Sequence, residues 1–197
     1  DTDLAAALEN YPQFQHLNKV VANIPFYITG PILEKLLGRI HQPNPHPYDS
    51  IVLMVQKEVA ARLYAQPGTK AFNGLSVRVQ YLAECELVCT VPASAFKPAP
   101  KVESAVVRLK PRPFPQQATA PKLLNTLVKQ GFGQKRKMLR NNLKSLVDRN
   151  QLTDIFGSMA IDTQIRAEQL SVENWVELSN RLAAQTAGDQ PPADGQA

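Results

Sequence analysis

Cysteine is scarce: the 197-residue chain has two, Cys85 and Cys89. Both stand in the run Cys85-Glu86-Leu87-Val88-Cys89-Thr90-Val91, which alternates like a strand. Four strand residues span about 13 Å, too far for a disulfide, so both are expected as small core or interface side chains. Histidine is almost as sparse, and His16, His41 and His46 occupy unrelated contexts without ligand-like spacing, which argues against a metal site. No apolar run reaches the length of a membrane span, and no charged, apolar, small-residue signal opens the chain. A cytosolic (cytoplasmic) protein with no membrane partner is expected. A glycine-rich phosphate loop is missing as well. Gly131-Phe132-Gly133 is the one G-x-G, has no third glycine at the required offset and falls between predicted helices. No Ser/His/Asp or Cys/His arrangement stands out, which leaves little room for nucleophilic catalysis.

What is present suits a globular protein, with 44% hydrophobic and 20% charged residues. The length allows one ordinary domain and a small second one. The net charge of +5 is unevenly placed. From Lys129 to Arg149, seven basic side chains (Lys129, Lys135, Arg136, Lys137, Arg140, Lys144 and Arg149) face only Asp148. Such density suits phosphate binding, and equally a solvated helix face.

Lys19 to Asn23 reads as an interior strand that Pro25 ends. Ile24, preceding a proline, is pushed to an extended conformation. Asn23, the Ile24 carbonyl and Phe26 therefore converge at the carboxyl end of a strand, the edge where open α/β sheets bind ligands; a plain strand-to-turn junction would look the same. Residues 1 to 18 read as an Ala-rich helical or loop segment that begins in mid-domain. Thr29-Gly30-Pro31 reads as a helix start capped by Thr29, with Ile32, Leu33, Leu36 and Leu37 on one face and Gly38 at its end. A surface loop over 42–48, a buried strand over 51–55, and helices over 56–64 and 75–82 follow.

Strands are predicted over 86–91 and 103–109. Three prolines stiffen the connection between them, from Pro92 to Val102, and fix where Phe96, Lys97 and Lys101 point. That suits stacking on a base beside a phosphate, or a hairpin connection over a buried phenylalanine. Residues 111–115 look like a linker. Beyond it every segment reads as helix: 122–132, 134–150, 152–156 and 171–184. In the second of these, Leu139, Leu143, Leu146 and Val147 form an apolar stripe beside an i, i+4 row of Arg136, Arg140 and Lys144. Residues 185–197 read as a disordered tail.

Four stretches together resemble the rRNA adenine dimethyltransferase family, in its bacterial 16S branch. They are Asn23-Ile24-Pro25-Phe26; Gln56-Lys57-Glu58-Val59 with Arg62-Leu63; Phe96 to Ser104; and Gln134-Lys135-Arg136-Lys137-Met138-Leu139-Arg140-Asn141-Asn142-Leu143. The similarity runs from about Lys19 to Leu182. The resemblance implies an α/β fold: the second half of a Rossmann-like S-adenosylmethionine methyltransferase sheet, followed by a small all-helical domain. The expected division is a partial catalytic domain over 1–115, a helical RNA-binding domain over 116–184 and the tail.

It implies methylation of the exocyclic amine of adenines in 16S rRNA of the small-subunit precursor, with S-adenosylmethionine as cofactor, by a monomer. That amine is a poor nucleophile, because its lone pair is delocalised into the ring. Asn23 and the Ile24 carbonyl are expected to accept its hydrogens, Pro25 to shape the turn, and Phe26 with Phe96 to receive the flipped base. Asn23 also lines the implied cofactor site, and the family more often has Tyr at the position of Phe26. Lys97, Lys101, Lys135, Arg136, Lys137, Arg140 and Lys144, with Phe96, are the expected RNA contacts. The family's glycine-rich cofactor loop and acidic ribose grip should precede this region and are not in the sequence, so an amino-terminally truncated chain that binds cofactor poorly alone is expected, with the strand at Val20 to Asn23 left as an exposed edge. A non-enzymatic rRNA-binding assembly factor and a DNA adenine methyltransferase are the rival readings.

Overall fold

The computed structural model describes residues 4–12 and 17–188. The first element is a short helix, α1 (Leu4–Ala7). His16 lies outside the described residues. β1 (Lys19–Asn23) ends before Pro25, which cannot extend a ladder. Phe26–Ile28 forms a 3-10 turn that leads into α2 (Thr29–Leu37). Thr29 is not the expected cap. It lies inside the helix, and its hydroxyl donates to the Phe26 carbonyl at 3.0 Å. Gly38 ends α2 with φ +79°, its N–H bonded to the Glu34 carbonyl. A Cβ there would collide with the backbone of residues 42–44. The expected loop after it contains a two-residue hairpin, β2 (Gly38–Arg39) against β3 (Gln42–Pro43).

β4 (Ser50–Gln56) buries Ile51, Leu53 and Val55 completely, each stabilising by about 1.5–3 kcal/mol. α3 (Lys57–Leu63) follows without a break, and then α4 (Gly74–Leu82), started by an Asn73–Ser76 capping box. β5 (Ala83–Val91) and β6 (Ser104–Pro111) close the sheet in the order β1-β4-β6-β5. β1 and β4 are parallel, and the other pairings are antiparallel.

β1 has the composition of an interior strand but lies at an edge of this sheet, where the exposed edge is expected. It pairs only with β4, and Val21 is 81% exposed. β5 carries an irregularity at Val88: Leu87 pairs with Val107, and Cys89 with Val106. The extra residue reverses the alternation, so Cys85 is half-buried opposite Leu109 while Cys89 is exposed. Of the pair expected in a core or interface, only Cys85 is sheltered. Burial, and secondarily the Glu86 charge, pushes its thiol up to about 12.

After β6 the chain is helical: α5 (Pro121–Gly131), α6 (Leu139–Leu143), α7 (Arg149–Ser158) and α8 (Val172–Gly188). The single helix expected over 134–150 does not form. Residues 133–138 turn, α6 lasts five residues, and Asp148 caps α7 by accepting from Asn150 and Gln151. Leu139, Leu143 and Val147 are buried, whereas Leu146, expected on the same stripe, is 44% exposed. α8 continues through 185–188, the start of the expected tail, and 189–197 lie outside the described residues. The expected linker is packed down: Phe114 is buried, and Arg112 stands over its ring at 5.4 Å. One buried apolar cluster runs from Ile24 through Leu109 and Phe114 to Trp175 and Leu182.

Candidate active site

Parallel pairing of β1 with β4 puts Asn23 in register with Met54, two residues from the end of β4. At that same end β6 begins, with Ser104 opposite Gln56, and β5 finishes, with Val91 opposite Ser104. The segment Asn23–Phe26 and the connection 92–103 therefore share one end of the sheet. Two interstrand spacings separate β1 from β6 and three separate it from β5, about 10–14 Å.

Ile24 is buried and anchors the turn in the core. The turn is fixed by Ile28 N–H donating to the Pro25 carbonyl at 3.2 Å and by the Thr29 hydroxyl on the Phe26 carbonyl. Asn23 is exposed, and its carboxamide makes no hydrogen bond among the described residues. Phe26 is half-buried, whereas Tyr27 is 87% exposed. A free carboxamide and a partly sheltered ring thus lie three residues apart at a strand end. In the 92–103 connection a 3-10 turn over Ala93–Ala95 is followed by Phe96, half-buried, and by Lys97 and Lys101, both exposed.

The basic residues are arranged differently from the expected helical row. Lys135, Arg136 and Lys137 are exposed on the turn before α6, Arg140 is half-buried within α6 with its Nε buried and without a partner, and Lys144 is exposed at its end. The turn is pinned by Asn142, whose buried Nδ2 donates to the Gly131 carbonyl at 2.6 Å and the Gln134 carbonyl at 3.1 Å. Leu139 N–H adds a bond to Ile165 at 2.8 Å. The short α6 follows from these tertiary bonds, which hold the basic turn out of helical geometry.

A groove of about 940 Å³ joins the two regions: Gly30 and Pro31, just past Phe26, line it together with Phe132 and Lys135. Arg62 and Lys129 also line it, with Arg39 and Arg78, which the sequence reading did not single out. Toward the expected S-adenosylmethionine the described residues offer one free polar group at the carboxyl end of β1, the Asn23 carboxamide. Lys57, unassigned in the sequence reading although it stands in one of the four stretches, ties Glu103 to the end of β4 through an ammonium–carboxylate contact of 2.7 Å.

The chain is 62% identical over 188 residues to the ribosomal RNA small subunit methyltransferase A of Nostoc punctiforme, covering 95% of this chain and 65% of that relative. It is 66% identical over 165 residues to the protein of the same name from Acaryochloris marina, covering 84% of this chain and 61% of that one. It thus spans somewhat less than two thirds of either. The crystal structure of a dimethyladenosine transferase from Plasmodium falciparum shares the fold, with a TM-score of 0.68, 24% identity, and coverage of 87% of this chain and 68% of that one. The family model described as ribosomal RNA adenine dimethylase matches residues 2–184, and the chain belongs to that family.

Proposed function

We propose that the chain supplies the adenine-acceptor side of an S-adenosylmethionine-dependent activity that dimethylates the exocyclic amine of adenines in 16S rRNA, on the precursor of the small ribosomal subunit and in the cytoplasm. The observation that carries this is the free Asn23 carboxamide beside the half-buried Phe26 ring at the carboxyl end of β1. The names of the relatives support the substrate.

In this reading the target adenine leaves its stack and lays its face on Phe26, with Phe96 on the loop opposite. Asn23 Oδ1 and the Ile24 carbonyl accept the two amine hydrogens, which draws the lone pair out of conjugation and aims it for attack. S-adenosylmethionine supplies an electrophilic methyl carbon at that point. The ammonium formed by transfer sheds its proton readily, so no general base is required, and rate comes from positioning. Residues up to 115 would form the catalytic part. Residues 116–184 would grip RNA, through Lys135, Arg136, Lys137, Arg140 and Lys144, while Lys97 and Lys101 hold phosphates near the target.

Nucleoside analysis of unmodified 16S rRNA, after reaction with S-adenosylmethionine and this chain joined to the part of the Nostoc punctiforme relative that it does not span, tests the reading. N6,N6-dimethyladenosine is expected. Unmodified adenine, or methylation of duplex DNA in its place, contradicts it.

A further inference from the structure

The connection 92–103 is fastened to other elements at one place. Among the described residues its hydrogen bonds beyond itself are two, and both go to Lys57. The Lys57 N–H donates to the Glu103 carbonyl at 3.0 Å, and the Lys57 ammonium to Glu103 Oε2 at 2.7 Å. The loop's other bonds, Ala95 N–H to Pro92 and Phe96 N–H to Ala93, are internal. Lys57 opens α3 immediately after β4, whose Met54 is in register with Asn23. The fastening point thus lies just past the end of the strand that pairs with the proposed acceptor's strand. The Glu103 hydrogen bond, and then its charge, raises the Lys57 pKa.

Both side chains are about half exposed, 51% each, and exposed ion pairs add little to global stability. What this one can set is the stance of a loop that has no second polar tether. We propose that Lys57 and Glu103 are positioning residues for the acceptor site, holding Phe96 and Lys101 over the base bound at Asn23–Phe26. The proposal rests on the rRNA reading above. Neither residue touches the base; both act through the loop.

Two measurements on the 197-residue chain test it, with Lys57→Met, Glu103→Gln and the exchanged pair K57E/E103K. The first is the rate of trypsin cleavage after Lys101 in the native protein, for which Lys57→Met leaves the sequence around the cut unchanged. The second is affinity for a 16S rRNA fragment. Lys57→Met is expected to speed cleavage and to weaken RNA binding, each by about two- to fivefold, at an unchanged urea midpoint. Glu103→Gln should weaken RNA binding by a similar factor, and K57E/E103K should recover most of the lost affinity. Either readout unchanged in Lys57→Met, or an exchanged pair that binds no better than the single variants, overturns the proposal. A wild-type chain that binds no rRNA would contradict the functional reading instead, and the trypsin rate alone would then decide the role of the pair.

Discussion

Tyr81 of α4 stacks on Phe114, with ring centroids 5.4 Å apart and planes 26° from parallel, and its hydroxyl accepts the Ala118 N–H at 3.2 Å. The contact fastens the chain beyond β6 to the helical layer over the sheet. Phe114→Ala is expected to cost about 3–5 kcal/mol. Tyr81→Phe, which leaves a buried N–H without its partner, should cost about 1–3 kcal/mol. Urea unfolding measures both, and a loss for Phe114→Ala below about 1 kcal/mol would show that the segment is not held by this stack.

Gly131 is the second joint between helices. A Cβ there would overlap Trp175 Cη2 and come within 3.0 Å of Leu139 Cδ1. Gly131→Ala should therefore destabilise by about 1–3 kcal/mol through overpacking. Gly30, also helical, has nothing within 4 Å of the corresponding point, so Gly30→Ala should be neutral or stabilise by up to about 1 kcal/mol. Equal losses at the two sites would contradict the packing described.

The two thiols should react at different rates. Cys89 is exposed, and the Cys85 thiol is half-buried and pushed up to about 12. At pH 8 iodoacetamide should modify Cys89 first and leave Cys85 largely intact in the native protein, because the thiolate is the nucleophile. Peptide mapping reads the order, and preferential labelling of Cys85 would contradict the reversal of alternation at Val88.

Arg136 and Arg140 should separate in RNA binding. Arg136 is exposed on the turn, whereas Arg140 is half-buried with its Nε enclosed. Arg136→Ala should weaken binding and flatten the log-affinity against log-salt slope by roughly 0.7–0.9. Arg140→Ala should flatten it less and lower stability more. Identical salt slopes for wild type and Arg136→Ala would mark the basic turn as a solvated face.

Much of the sheet and most of the helices were legible because the deciding signals are local. Pro25 stops β1, Gly38 stops α2, and the alternation of Ala105, Val107 and Leu109 announces β6. The errors lie where distant groups decide. Leu139, Leu143, Leu146 and Val147 satisfy helical spacing, yet the Asn142 amide is spent on Gly131 and Gln134, and Asp148 starts a new helix, so the run breaks. The interior pattern of β1 came from its β-branched composition, which does not count neighbours; the expected exposed edge is where β1 lies, with Val21 81% exposed. The strand end at Asn23 was readable from the proline after it. Its sharing of one sheet end with Phe96 required the pairing of four strands, and the Lys57–Glu103 fastening required a contact between residues 46 apart.

The central claim is that Asn23 presents an adenine amine for methylation. Its most direct measurement is the initial rate of N6,N6-dimethyladenosine formation in unmodified 16S rRNA, comparing Asn23→Ala with Tyr27→Ala. Both are made in the chain joined to the part of the Nostoc punctiforme relative that it does not span. Loss of a hydrogen-bond acceptor at the reacting amine should slow Asn23→Ala by about 10²–10³-fold, with rRNA affinity retained. Tyr27, 87% exposed and given no role at the amine, should tolerate alanine within about twofold. An Asn23→Ala rate within threefold of the parent, or equal losses for the two variants, would contradict the account.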